Sequence, residues 1–140
     1  MGALRTLVVI EPGRAGDAAV EEARAQAAVV DCEVTLVGVA RRDSSVRCGP
    51  SGEAHNAAIT EAVARDLARA RDRLVTAGVA VTCRVLVDGR DLPLEGFAAA
   101  EGFDLILLPS RGPRRAPRRH PAARRLTQLA GPEIRLVARP

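Results

Sequence analysis

The chain has 140 residues, 47% of them hydrophobic, with 21 basic and 17 acidic side chains and a formal net charge of +4. That length makes one ordinary domain, residues 1–140, able to bury roughly two thirds of its unfolded surface without disulfide staples. Every basic residue is Arg, and the aromatic residues are Phe97 and Phe103 with no Tyr or Trp, so the stacking platform that specific single-stranded nucleic-acid binding requires is missing.

In chain order, Leu4–Ile10 is a β-branched run closed by Glu11, Pro12 and Gly13, a buried strand that empties into a tight turn. Asp17 then stands where a helix N-cap belongs, with Val20, Ala23, Ala27 and Val30 recurring at helical spacing behind it. Glu33–Ala40 is a second strand, with Val39 at its carboxyl end. Arg41–Gly52 holds turn formers and charges without a period, which predicts a long loop. From Glu53 to Ala77 the residues Ile59, Val63, Leu67, Ala70 and Leu74 fall at steps of four and three, a long amphipathic helix stopped at Gly78. Val79–Val87 is a third strand and Asp88–Asp91 the turn after it. Pro93 opens a helix, with Asp91 near its cap, that carries Leu94, Phe97 and Ala98 inward and stops at Gly102. Asp104–Leu108 is a buried strand stopped by Pro109, Pro121–Ala130 is the last helix, and Ile134–Ala138 is the last strand.

The order βαβαβαβαβ predicts an α/β fold, an open five-stranded parallel sheet, doubly wound, with four helices covering its two faces. Ligands of such sheets lodge beyond the carboxyl ends of the strands. The segment from Asp104 to Arg125, DLILLPSRGPRRAPRRHPAARR, empties there into an arginine-crowded loop. Met1–Leu108 carries 12 Arg against 16 acidic residues, whereas Pro109–Pro140 carries 9 Arg against Glu133 alone. A tail so charged attracts an anionic partner or an acidic surface of another copy, and its attraction to nucleic acid is non-specific and lost with salt. Prolines at 113, 117 and 121 keep that loop extended, and a solvated loop is the simplest reading of it.

Cys32, Cys48 and Cys83 are odd in number and none stands in a Cys-x-x-Cys spacing, as expected of reduced thiols in the cytoplasm. Cys32 and Cys83 fall in strand patterns as small core residues, which leaves Cys48, in a loop, as the reactive candidate. The apolar run after Thr6 is too short for a secretory leader or a membrane span. His55 and His120 have no Cys, Asp or Glu at metal-ligand spacing, so no metal site is expected. Ser110 lacks the glycine-flanked elbow of a hydrolase nucleophile. No enzyme is expected, at most a weak ATPase.

The opening LRTLVVIEPG, the block VLVDGRDLPLEGFAAAEGFDLILLPSRG from Val85 to Gly112, and the closing PEIRLVAR resemble the universal stress protein family over essentially the whole chain. The resemblance implies an adenine-nucleotide alpha-hydrolase-like fold with strand order 3-2-1-4-5 and a stress-response or regulatory role. In the branch of that family that holds ATP, the motif is Gly-x-x-Gly, nine residues, then Gly followed by Ser or Thr, with an Asp ending the first strand. Those glycines let backbone amides close on phosphates. Laid on this chain the motif falls on Pro109, Gly112, Ala122 and Ala123, and the Asp position on Glu11 beside Ile10, with Val39 on the neighbouring strand. Pro109 has no amide to donate, Ala122 adds a methyl group and Ala123 has no hydroxyl. Tight ATP binding is therefore not expected and no cofactor is required; the alternative is an adenine nucleotide held by arginines around Ser110, namely Arg111, Arg114 and Arg115, since guanidinium binds phosphate bidentately. The resemblance also implies a homodimer through the last strand, at Ile134, Arg135, Leu136 and Val137, with Arg135 off the two-fold axis or paired with a carboxylate.

Overall fold

A computed structural model of the protein describes residues 2–10, 17–41, 50–110 and 121–138. Five strands alternate with four helices: β1 (Leu4–Ile10), α1 (Asp17–Val29), β2 (Cys32–Ala40), α2 (Pro50–Thr76), β3 (Ala80–Val87), α3 (Leu94–Glu101), β4 (Leu105–Ser110), α4 (Pro121–Leu126) and β5 (Glu133–Ala138). The strands form one parallel sheet, as the alternating pattern predicts, in the order β3-β2-β1-β4-β5 that the family resemblance implies.

The side-chain period of two splits the apolar strands between two cores. On one face Val8, Ile10, Val34, Leu36, Leu105 and Leu107 pack under α1 and α2, through Val20, Val63, Leu67 and Leu74. On the other Leu7, Val9, Val37, Leu86, Ile106 and Leu108 pack under α3 and α4, through Phe97 and Leu126. Phe97 and Phe103 meet there with ring centroids 6.0 Å apart, tilted at 45°. Both predicted aromatics are thus spent in the core. Gly38 of β2 is where α2 comes closest, since a Cβ there would collide with Val63 Cγ1.

Apart from one-residue shifts at the ends of β2, β3, β5 and α2, four departures from the sequence pattern have a physical reason. The loop expected over Arg41–Gly52 gives way at Pro50, where α2 begins, because proline at a first helical turn loses no hydrogen bond and presets φ. Asp91 does not cap α3: its carboxylate accepts the Val87 N–H at 2.7 Å and closes the turn, while Pro93 holds the N-cap position. The last helix ends at Leu126 rather than Ala130, unwinding through Gln128 N–H to Arg125 O and Leu129 N–H to Leu126 O, the tighter bonds that finish a helix.

The fourth difference bears on the site. Pro109 was expected to stop the fourth strand, yet β4 continues through it to Ser110 beside Val137 and Ala138 of β5. Glu133 N–H donates to Asp104 O, so even-numbered residues of β4 turn their backbone groups to β5 and odd-numbered ones to β1. The absent N–H of Pro109 therefore faces β1, where pairing has already ended at Val8 and Leu107. The next rung would have needed that N–H, so the β1–β4 ladder ends there.

Candidate functional site

That ending creates the crevice. Beyond Val8 and Leu107, β1 runs on beside β2 as far as Ile10 opposite Gly38, and β4 runs on beside β5 as far as Ser110 opposite Ala138. The chain connects leftward from β1 and rightward from β4, so the gap between their carboxyl ends is the topological switch point, where open α/β sheets receive ligands. α2 walls one side. Its 27 residues span about 40 Å against roughly 26 Å for the eight of β3. Its buried apolar side chains Val63, Leu67, Ala70 and Leu74 lie from its middle onward, while in the N-terminal half Gly52 is buried and Glu53 to His55 and Ala57 to Ala58 are exposed.

The sequence candidates separate into those the edge gathers and those it does not. Ile10, 4% exposed, packs in the α1/α2 core, whereas Val39 is half-buried and packs on the α3/α4 side. They flank the edge from opposite faces of the sheet and offer backbone rather than side chain to one ligand. Pro109, half-buried, and Ser110 end β4 on the far side of the crevice, and Ala122 and Ala123 are the second and third residues of α4, which returns the chain from this edge. Glu11, Arg111, Gly112, Arg114 and Arg115 lie outside the described residues, as do Cys48 and His120. Among the described residues no three metal-binding side chains converge, and no helix is long and apolar enough to cross a membrane.

Cys32 and Cys83 are free thiols, and burial pushes both up from the ordinary value. Neither is a thiolate at neutral pH, so neither is the activated nucleophile of a covalent mechanism. The residues proposed for self-association occupy β5, where Ile134 and Leu136 pack on the α3/α4 core and Val137 on the other. Arg135 Nη1 donates to Glu22 Oε1 at 2.9 Å and its Nη2 to Glu133 Oε1 at 3.2 Å. Glu133 first and Glu22 with it hold the guanidinium proton more tightly.

A cleft that the sequence did not point to opens on the α3 side of β2 and β3, away from the carboxyl edge. It measures about 380 Å³ and is lined by Arg5, Glu33, Thr35, Thr82, Arg84 and Phe97 among others. It exists because α3 crosses toward β4 and leaves the amino halves of β2 and β3 bare. The signal was present in VAVTCRVLV, where Thr82 and Arg84 interrupt the apolar run at a spacing of two.

No family model and no curated protein matches the sequence. Solved structures do. A protein of the universal stress protein family from Burkholderia pseudomallei superposes with a TM-score of 0.70 at 23% identity, covering 98% of each chain. The universal stress protein UspA from Lactobacillus plantarum superposes at 0.68 with 17% identity, covering 98% of this chain and 99% of its own. The universal stress protein from Archaeoglobus fulgidus in complex with dAMP superposes at 0.64 with 14% identity, covering 97% and 98%. Sheet order and crevice define a doubly wound α/β domain. More narrowly, the chain has the universal stress protein fold, in agreement with the resemblance carried by its motifs.

Proposed function

We propose that this protein is a universal stress protein of the regulatory kind, one domain over residues 1–140, acting by binding rather than catalysis and without tight ATP binding at its switch-point crevice. The observation that carries the reading is Pro109. It occupies the first glycine position of the phosphate motif and is built into β4 with its nitrogen turned toward the crevice, where a glycine would offer an N–H. Ala122 and Ala123 add no hydroxyl at the head of α4. The free state of Cys32 and Cys83 supports a cytoplasmic setting.

The dAMP bound to the Archaeoglobus protein makes adenine nucleotides the ligand class to test. Calorimetry and thermal shift with ATP, ADP, AMP and cyclic nucleotides, with and without magnesium, should show no binding at micromolar concentrations. A ligand at a hundred times its dissociation constant would add about 2.7 kcal/mol of stability, which such a scan resolves. Replacing Pro109 and Ala122 by Gly and Ala123 by Ser should raise ATP affinity at least about tenfold, a gain of about 1.4 kcal/mol. Micromolar ATP binding by the natural chain would sink the reading. If that binding also fell on replacing Arg114 and Arg115 with Ala, credit would pass to an arginine-built phosphate site.

A further inference from the structure

β3 is one rim of the sheet, and its outer edge is prepared for a partner. Asp88 N–H donates to Ala40 O of β2, so even-numbered residues of β3 turn their backbone groups inward and odd-numbered ones outward. Two of the odd-numbered residues are already engaged. Val79 N–H donates to Leu74 O, while Val87 donates to Asp91 Oδ2 and accepts from the Arg90 and Asp91 N–H groups. Val81, Cys83 and Val85 then present six outward N–H and C=O groups with no partner among the described residues. The edge also lacks the usual guards. It runs eight residues in unbroken register with no proline, lysine or bulge. Its one charge, Arg84, is drawn inward, the guanidinium 5.7 Å from the centre of the Phe97 ring.

We propose that this rim binds a second copy of the chain, antiparallel about a two-fold axis through Cys83, making one continuous sheet. That register pairs Val81 with the partner's Val85 and Cys83 with its own copy, and satisfies all six outward groups. The helices above fit the same axis. α2 packs on both β2 and β3, so copies related by it lie two strand spacings apart, about 10 Å, the ordinary distance for packed helices. Cys83 Sγ is 4.0 Å from Leu67 O, which sets the axis beside Leu67 and Ala68.

The flank of α2 that would meet its copy is the one turned from α1. Arg73 on the inner flank bonds to Glu21 of α1, while Arg71 lies near enough to Cys83 for its charge to act on the thiol. Helical spacing lines Ala64, Ala68, Arg71 and Val75 along that outer flank, all exposed. Ala68 is small enough for close approach at the axis. Val75, 49% exposed, is the large apolar residue left uncovered there.

Charge fixes the orientation. About an axis at Ala68 the antiparallel helices bring Arg71 level with Arg65 of the partner, which lies toward solvent, and beside its Ala64, within reach of the Glu61 one turn away. On the sheet's other face each Arg84 opposes the partner's Thr82, at the cleft that contains Glu33. Among the described residues Arg71, Arg84, Glu61 and Glu33 have no ion-pair partner within one chain. A second copy brings opposite charge to Arg71 and Glu61, while Arg84 and Glu33 line one cleft within each chain.

The test is made in a Leu136→Arg variant, so that association through β5 cannot be mistaken for association here. Sedimentation at about 100 µM should give a dimer, twice 14.7 kDa. Adding Ala68→Arg, at an exposed position that folding does not need, should return the mass to 14.7 kDa. Arg71→Glu should weaken the dimer at least about tenfold and Glu61→Arg, added to it, should restore it. Ala68→Cys treated with oxidised glutathione should join two copies by a bond that maps to position 68. A 14.7 kDa species for Leu136→Arg alone, a dimer indifferent to Ala68→Arg, or no rescue by the charge swap would each overturn the proposal.

Discussion

At the scale of single residues, the thiols give the chain an unusual alkaline response. The sequence has no Tyr and no Lys, so cysteines are the only side chains that titrate between the ordinary thiol pKa and that of arginine. Burial raises Cys32 and Cys83 above the ordinary 9.0. The folded state thus keeps protons that the unfolded state releases. Their stabilisation is fully present below about pH 9 and is lost as pH rises through the raised folded values. Urea midpoints should be flat up to pH 9 and fall above it, and Cys32→Ala should flatten the fall. An unchanged slope in that variant would remove Cys32 from the account. Gly38 makes a second residue-scale prediction. Gly38→Ala drives a methyl group into Val63 Cγ1 and should cost about 1–3 kcal/mol in urea unfolding. Val63→Ala, costly alone, should become cheaper in the Gly38→Ala background, a coupling that a double-mutant cycle reads directly.

At the scale of elements, what was legible in the sequence was whatever a local period encodes. The steps of α2 from Ile59 to Leu74 and the apolar run of β4 place their buried faces without knowledge of any neighbour. What was not legible depended on register. Nothing in LILLPS says that the nitrogen of Pro109 will face a gap rather than a ladder, and nothing near Asp91 says that its carboxylate will prefer Val87 to α3. Arg5 belongs with these. From β1 it donates through Nη1 to the carbonyls of Glu101 and Gly102, the latter at 2.8 Å, and lies 5.4 Å from the centre of the Phe103 ring. A cation at a helix C-terminus that bonds its last carbonyls is favourable. Here it ties the end of α3 to β1, while Asp104 O accepts Glu133 N–H and its carboxylate accepts Arg5 N–H at 2.9 Å. Arg5→Ala should cost about 1–2 kcal/mol of unfolding free energy, with faster amide exchange in the last turn of α3. Arg5→Lys should recover only part of it, since an ammonium cannot bridge two carbonyls and lie flat on a ring. Full recovery by lysine would reduce the effect to charge alone.

At the scale of the whole molecule, the parallel sheet follows from alternation and handedness, whereas the switch point needed the strand order that the family resemblance implied, and neither names a ligand. That order leaves two rims, β3 and β5, and the expected homodimer runs through β5. Odd-numbered residues of β5 face β4, as Glu133 N–H shows, so Ile134, Leu136 and Ala138 carry the outward backbone groups. A two-fold axis at Leu136 pairs all three, Ile134 with the partner's Ala138 and Leu136 with its copy. Arg135 then stands beside the partner's Val137 and not beside another Arg135. Its guanidinium is turned back onto Glu22 and Glu133, which answers the repulsion that a charge in this strand would otherwise bring. With the β3 rim blocked by Ala68→Arg, sedimentation should show a dimer, and adding Leu136→Arg should return it to 14.7 kDa by setting two like charges directly opposite on the axis. Glu22→Ala, which frees Arg135 on one side, should weaken that dimer without unfolding the chain, because the pair it breaks is more than a third exposed. A monomeric Ala68→Arg variant would leave β5 a rim guarded by its own arginine, and the dimer through it would have to be given up.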